Sequence, residues 1–290
     1  MLAKNFPEKI GFTEEECRLC RAYIDMVGDE IEPLAKEYME GTRPMYEVLE
    51  DVHKLERADV HIYTLDLVFV LLCSGYLEES YHKKGIPEAM FTNLMKDIKY
   101  KLDECMEVHQ VFGVFVVSWY DLHLRGELMA FGRLQIHSYT YGDDPFTVFG
   151  TEIKAGDKVL NCHIPSSGPL TKEALLDSYR QIYAWYPEYR IGDVLPIRCG
   201  SWLLYPEYDE VFACSKNISE FRSHFNVFSK HEKEEFSDCW RVFGVDAEPV
   251  DELPEKTSLQ RAFKAYMKKG GTFGSGIGFL LFDGEKVIKA

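Results

Sequence analysis

The chain predicts an α/β protein in two parts, α+β when taken as a whole: a helical first half, then strands alternating with helices. Three observations predict it. Apolar residues recur at helical spacing through the first 125 residues. From Leu128 the period changes to two, as in strands. Then Lys158–Pro187 reads as a strand, a Ser/Gly/Pro turn and a capped helix, the unit from which layered α/β domains are built.

In the first half, Thr13 and Glu16 form a capping box, with Cys17, Cys20, Ile24 and Val27 on one face behind them. Pro33 and the Gly41–Pro44 cluster are expected to interrupt or end that helix. Short helices follow over 45–57 and 60–76, and Pro87 starts another over 90–105. The Val-rich run 111–124 suits strand or helix, and its length and neighbours favour helix. Domains of 1–125 and 126–290 are expected. In the second, strands are predicted at 128–141, 147–151, 158–164, 196–204, 241–245 and 277–282, with helices at 171–185, 217–228 and 258–269. The glycine-dense run 270–278 follows a helix and precedes a strand, the reverse of a dinucleotide loop, and reads as a flexible connection.

With 46% hydrophobic residues in 290, either half can build a core. The formal charge of −15 argues against nucleic-acid binding, which needs clustered cations. No apolar run is long enough for a transmembrane helix, and no secretory signal is read at the N-terminus, so a cytoplasmic protein is expected. Cys17 and Cys20 form an isolated CxxC without a second pair, which reads as structural; no metal is expected.

The capped helix after strand 158–164 aims orphan N–H groups and a positive dipole end at one point, a place for an anionic ligand. His163, closing that strand, is the candidate general base, or else holds the strand–loop corner through a backbone carbonyl. Cys199 and Ser201 share a face of the next strand; if the two strands are parallel neighbours, either could approach His163 as a nucleophile. No Gly-x-Ser-x-Gly elbow surrounds Ser201, and a buried, structural Cys199 is the more natural reading. Arg133, Gln135 and His137 fall on one strand face and could line a cleft; Arg133 could equally pair with a carboxylate of the acidic first half.

Taken together, Gly132-Arg-Leu-Gln135, His163-Ile-Pro165, Gly168-Pro-Leu170, Ser201-Trp-Leu-Leu204 and Asn217-Ile-x-x-Phe221 resemble a family of bacterial two-domain acyltransferase-like proteins. Members join a helical N-acyltransferase N-terminal domain to a GNAT-like, mixed-sheet C-terminal domain. The resemblance implies acyl-CoA as co-substrate and transfer of the acyl group to an amine-type acceptor. By it, Ser166, Ser167, Gly168 and Thr171 would hold the CoA phosphates, with Asn217 beside them. His163 would be the base and Ser201 would orient the reacting group. Arg133, Gln135, His137 and Cys199 would line the substrate cleft. The family's phosphate loop is replaced by Pro165-Ser-Ser-Gly-Pro169, in which each proline removes a donor. Phe221, Phe225 and Phe228 stand where the leaving-group tyrosine is sought, so Tyr208 or Tyr205 would have to supply the acid. These departures motivate an alternative, a GNAT-like binding protein that has lost the chemistry. A hydrolase using Ser201 or Cys199 with His163 is the third reading.

Overall fold

The computed structural model describes residues 5–246 and 248–289, and the chain divides into two compact units at Ala130/Phe131.

The first unit is helical: α1 (Phe6–Lys9), α2 (Glu14–Met39), α3 (Met45–His53), α4 (Ile62–Lys83), α5 (Glu88–His109) and α6 (Asp121–Leu124). The Thr13 box forms as expected: the hydroxyl accepts from Glu16 N–H and the Glu16 carboxylate accepts from Thr13 N–H. The helix it opens runs straight through Pro33, which forfeits one backbone bond without ending it. At the centre lies α4, buried on every side from Thr64 to Gly75, which explains why its apolar pattern has no single face. Cys17 and Cys20 are buried in this core, and burial pushes the Cys20 thiol up to about 12, as befits small apolar residues. Residues 111–116 are irregular rather than helical, followed by a 3₁₀ turn over Val117–Tyr120 and then α6. No helix among the described residues is long and apolar enough to cross a membrane.

The rest forms a six-stranded mixed sheet of β1 (Met129–Phe131), β2 (Leu134–Thr140), β5 (Lys158–His163), β6 (Leu195–Ser201), β8 (Phe273–Phe282) and β7 (Asn226–Lys233), in that spatial order. A separate hairpin joins β3 (Phe146–Val148) to β4 (Thr151–Ile153). The helices are α7 (Lys172–Trp185), α8 (Asp209–Phe212), α9 (Lys216–Arg222), α10 (Cys239–Phe243) and α11 (Ser258–Lys268). The strand expected at 128–141 is two strands, folded back at the turn Gly132-Arg133, where Gly132 takes φ +56°.

Three further segments differ from expectation. Residues 226–233 are a strand, because α9 stops at Arg222; the exposed, bulged edge of the sheet lacks the alternation that marks a strand. Residues 239–243 are a helical turn ended by Gly244 at φ +67°, not a strand. The glycine run lies largely inside β8, where Gly274, Gly276 and Gly278 occupy alternate positions on one face. Other chain segments pass too close there for a side chain: a Cβ on Gly276 would sit 2.1 Å from the Leu204 carbonyl oxygen.

Candidate functional site

Register assigns each side chain to a face. Pairing of Gln135 with His163, His137 with Asn161, and Asn161 with Arg198 puts these five on one face of β2, β5 and β6. Farther along, the same face is dry, with Val159, Phe279 and Leu281 packed under Val148 and Ile153 of the β3–β4 hairpin. The opposite face, carrying Cys162, Cys199, Ser201 and Phe282, takes α7 through Tyr179, whose ring lies 5.7 Å from that of Phe282.

Between β5 and β6 the sheet opens. These parallel neighbours pair only at Leu160–Ile197 and Asn161–Arg198, although β5 continues to His163 and β6 to Ser201. Beyond that point two adjacent strands no longer bond each other across the gap, which is the kind of crevice where ligands enter open α/β sheets. Gln135, His137, Asn161, His163 and Arg198 stand beside it.

Those polar groups form a connected set. Arg198 donates to Asn161 Oδ1 at 2.7 Å and lies 4.6 Å above the Tyr139 ring. Asn161 Nδ2 is 3.2 Å from His163 Nε2, and the same nitrogen is 2.9 Å from His137 Nδ1. The two imidazoles are inclined by only 23°. Both histidines are part-exposed, whereas Gln135 is buried and its Oε1 has no hydrogen-bond partner. Asn161 and Arg198 were not legible as site residues, although alternation already puts Asn161 on the His163 face.

After β5 the chain passes through residues 164–170 into α7. The expected cap is present: Thr171 Oγ1 accepts from Ala174 N–H, while its own hydroxyl proton remains a donor. Arg133 does not point along the strand face but clamps this loop. Its guanidinium donates to the Pro165 carbonyl at 2.5 Å and to the Gly168 carbonyl at 3.0 and 2.7 Å. The Arg133 N–H donates to Ser178 of α7, so one residue ties turn, loop and helix together. Gly168 takes φ +114°, a conformation that side chains resist. The Ser167 hydroxyl is buried without a hydrogen-bond partner in the ligand-free chain. The loop thus brings a fixed cation, an unused hydroxyl and a 14-residue helix start together.

Other expected site residues lie elsewhere. Cys199 is fully buried on the helix face against Cys162, whose thiol is held well above its ordinary pKa by hydrogen bonding to Cys199 and by burial. Such a pair is inert rather than nucleophilic. Ser201, also on that face, accepts from Leu203 N–H and caps the turn over Trp202–Leu204. Neither therefore meets His163, so the nucleophile–base pair of the hydrolase reading does not form. Tyr208 is buried among Phe212, Phe236 and Phe263, accepts from Gly274 N–H, and is pushed up in pKa by burial. Tyr205, equally buried, is hydrogen-bonded to Thr272. Asn217 lies in the first turn of α9, which packs on α7. Thus Ser166, Ser167, Gly168 and Thr171 gather at one end of α7 and Gln135, His137 and His163 beside the crevice, whereas Cys199, Ser201 and Tyr208 belong to neither group.

A mixed sheet that parts between two parallel strands, with a capped helix following the first, is the GNAT-like architecture. The chain belongs to this family: residues 128–280 match the GNAT-like C-terminal domain and residues 1–126 the N-acyltransferase N-terminal domain. Among solved structures, an acyltransferase in complex with decanoyl-CoA and teicoplanin is 19% identical, with a TM-score of 0.65, covering 96% of this chain and 99% of that one. An acyltransferase in complex with decanoyl-CoA is 18% identical, with a TM-score of 0.62 and the same coverage. These likenesses show a common fold along nearly the whole chain. No curated protein matches in sequence.

Proposed function

We propose that the protein is an acyl-CoA-dependent acyltransferase acting on an amine-type acceptor. The observation that carries this reading is the parting of β5 and β6 directly before the clamped loop and capped start of α7. The CoA pyrophosphate binds at Ser166–Thr171, where backbone N–H groups, hydroxyls and the α7 dipole converge and the Arg133 charge adds attraction. From there the pantetheine arm enters the crevice and brings the thioester to the histidines. The acceptor nitrogen attacks the thioester carbonyl, the C–S bond breaks, and the nitrogen's proton goes to the His137–His163 pair. The CoA thiolate leaves and regains a proton from the pair or from solvent. Tyr205 and Tyr208, buried and bonded elsewhere, take no part. The complexes of the structural neighbours, with decanoyl-CoA and in one case teicoplanin, support a long-chain donor and a large acceptor.

The test incubates the protein with C2 to C10 acyl-CoAs and a panel of amines, following acylated product by mass spectrometry. Product that requires both donor and acceptor supports the reading. Tight acyl-CoA binding without product from any amine would favour the binding-protein alternative. Arg133→Ala should release the loop and raise the Kd for CoA about 10- to 100-fold, the scale of lost charge-assisted hydrogen bonds. Calorimetric titration checks this, and an unchanged Kd would place the phosphates elsewhere.

A further inference from the structure

Four glycines fall inside the paired strands β6 and β8, and the structure forces three of them. A Cβ on Gly274, Gly276 or Gly278 would lie 2.3, 2.1 or 2.8 Å from the carbonyl oxygen of His231, Leu204 or Asn226. Gly200 of β6 has no such reason. Its φ is not positive, and the β6–β8 register runs without a bulge from Leu195–Phe282 to Ser201–Gly276. The atoms nearest an added Cβ are the Arg198 guanidinium at 3.7 Å and the Ile277 side chain at 3.9 Å, both at ordinary contact distance. Glycine weakens a strand, and where neither a bulge nor another backbone calls for it, the remaining reason is close approach of a ligand.

The position of Gly200 points to the ligand. Counting on from the Asn161–Arg198 pair, Gly200 is the β6 residue level with His163, and alternation puts both on the same face. The two therefore stand on either side of the parting, His163 part-exposed and Gly200 exposed. The Arg198 guanidinium, held by Asn161 and lying over the Tyr139 ring, bounds the bare Gly200 backbone on one side. We propose that Gly200 leaves the room for the acyl group of the donor thioester, so that side-chain size at this position decides which donors fit. This rests on the acyltransferase reading, in which the donor's arm enters the parting and its thioester comes level with the histidines. A branched side chain at position 200 would project into that level from the β6 side. The loop Ser166–Thr171 and the start of α7 follow β5 and keep their geometry.

The experiment takes the full-length protein with Gly200→Ala and Gly200→Val, and reads stability and donor affinity separately. In calorimetric melts without ligand, Gly200→Ala should match the wild type or rise by roughly 1–4 °C, because alanine suits a strand better and meets only ordinary contacts here. In calorimetric titrations Gly200→Val should weaken acetyl-CoA and decanoyl-CoA about 10-fold or more, the scale of overfilling a fitted space. CoA, which ends at the thiol, should lose less, and adenosine 3′,5′-bisphosphate should bind as it does to the wild type. A melting temperature lowered by more than about 2 °C in Gly200→Ala would mean that the fold itself needs glycine, and would overturn the proposal. So would acyl-CoA affinities of Gly200→Val within a factor of about three of wild type, or equal losses for CoA and the acyl-CoAs. If the donors respond as expected and no amine is acylated, only the acyltransferase reading falls. If the wild type binds no acyl-CoA, both fall.

Discussion

Alanine at position 137 is expected to lower acyl transfer by about two to four orders of magnitude, with the Kd for acyl-CoA little changed. The reason is position. His137 belongs to β2, pairs with His163 at 2.9 Å, and lies outside the Ser166–Thr171 loop proposed for the phosphates. Removing its ring breaks the His137–His163 pair proposed to take the acceptor's proton, and leaves Arg133, the loop and α7 as they were. The effect should fall on kcat rather than on the donor's binding, the signature of a group that acts in the transition state. Fold is not at risk, since His137 is part-exposed and outside the packed cluster around Val159 and Phe279. Rapid-mixing kinetics with saturating acyl-CoA checks this. A turnover within a factor of about three of wild type would remove His137 from the chemistry, since general-base groups contribute far more.

The second large effect concerns stability. Gly276→Ala should cost about 3 kcal/mol or more, at the upper end of overpacking substitutions. The added Cβ would lie 2.1 Å from the Leu204 carbonyl oxygen and 2.6 Å from its carbon. Both are backbone atoms, so no rotamer change relieves the collision, and the turn over Trp202–Leu204 must lift away from β8. For a unit of this size the melting temperature should drop by roughly 6–12 °C, at about 2–4 °C per kcal/mol. Gly142→Ala is the matched control, with nothing within 4 Å of its added Cβ and no positive φ. Equal melting temperatures for the two variants would mean that the β8 glycines are not there for close approach.

This strand also shows where sequence reading stops. Gly-Thr-Phe-Gly-Ser-Gly-Ile-Gly looks like a loop because glycine disfavours strands, yet close approach by residue 204 and by β7 makes glycine necessary on one face. That reason lies in tertiary contacts and is invisible locally. The same holds for the segment from α9 into β7, where Phe221, Phe225 and Phe228 are spaced as on a helix although the helix stops at Arg222 and Phe228 lies on the bulged, exposed strand that follows. By contrast, Thr13, Thr171 and the strand ending at His163 were legible, because capping and alternation act within a few residues.

The site divides along the same line. The end proposed for the phosphates, Ser166 to Thr171, was legible as a strand–turn–cap sequence. Arg133 was legible as a polar residue on the face of one expected strand, but its grip on the Pro165 and Gly168 carbonyls depends on a turn at Gly132 that folds that strand into two. Ser201 and Cys199 looked plausible because β5 and β6 are indeed parallel neighbours. Register then put them on the helix face, and a shift of one residue would have reversed the outcome. Asn161 and Arg198 entered only once that register was known.

The central claim is that acyl-CoA occupies the crevice between β5 and β6. It is tested most directly by a thermal-shift titration of the protein with CoA, acetyl-CoA and decanoyl-CoA, with adenosine 3′,5′-bisphosphate as the fragment control. At about 100 times its Kd a bound donor should add roughly 2.7 kcal/mol. The account predicts a rise of several degrees with the acyl-CoAs, a smaller one with the fragment, and loss of about half or more of both in Arg133→Ala. No shift with any of these ligands, at concentrations up to the millimolar range, would contradict it.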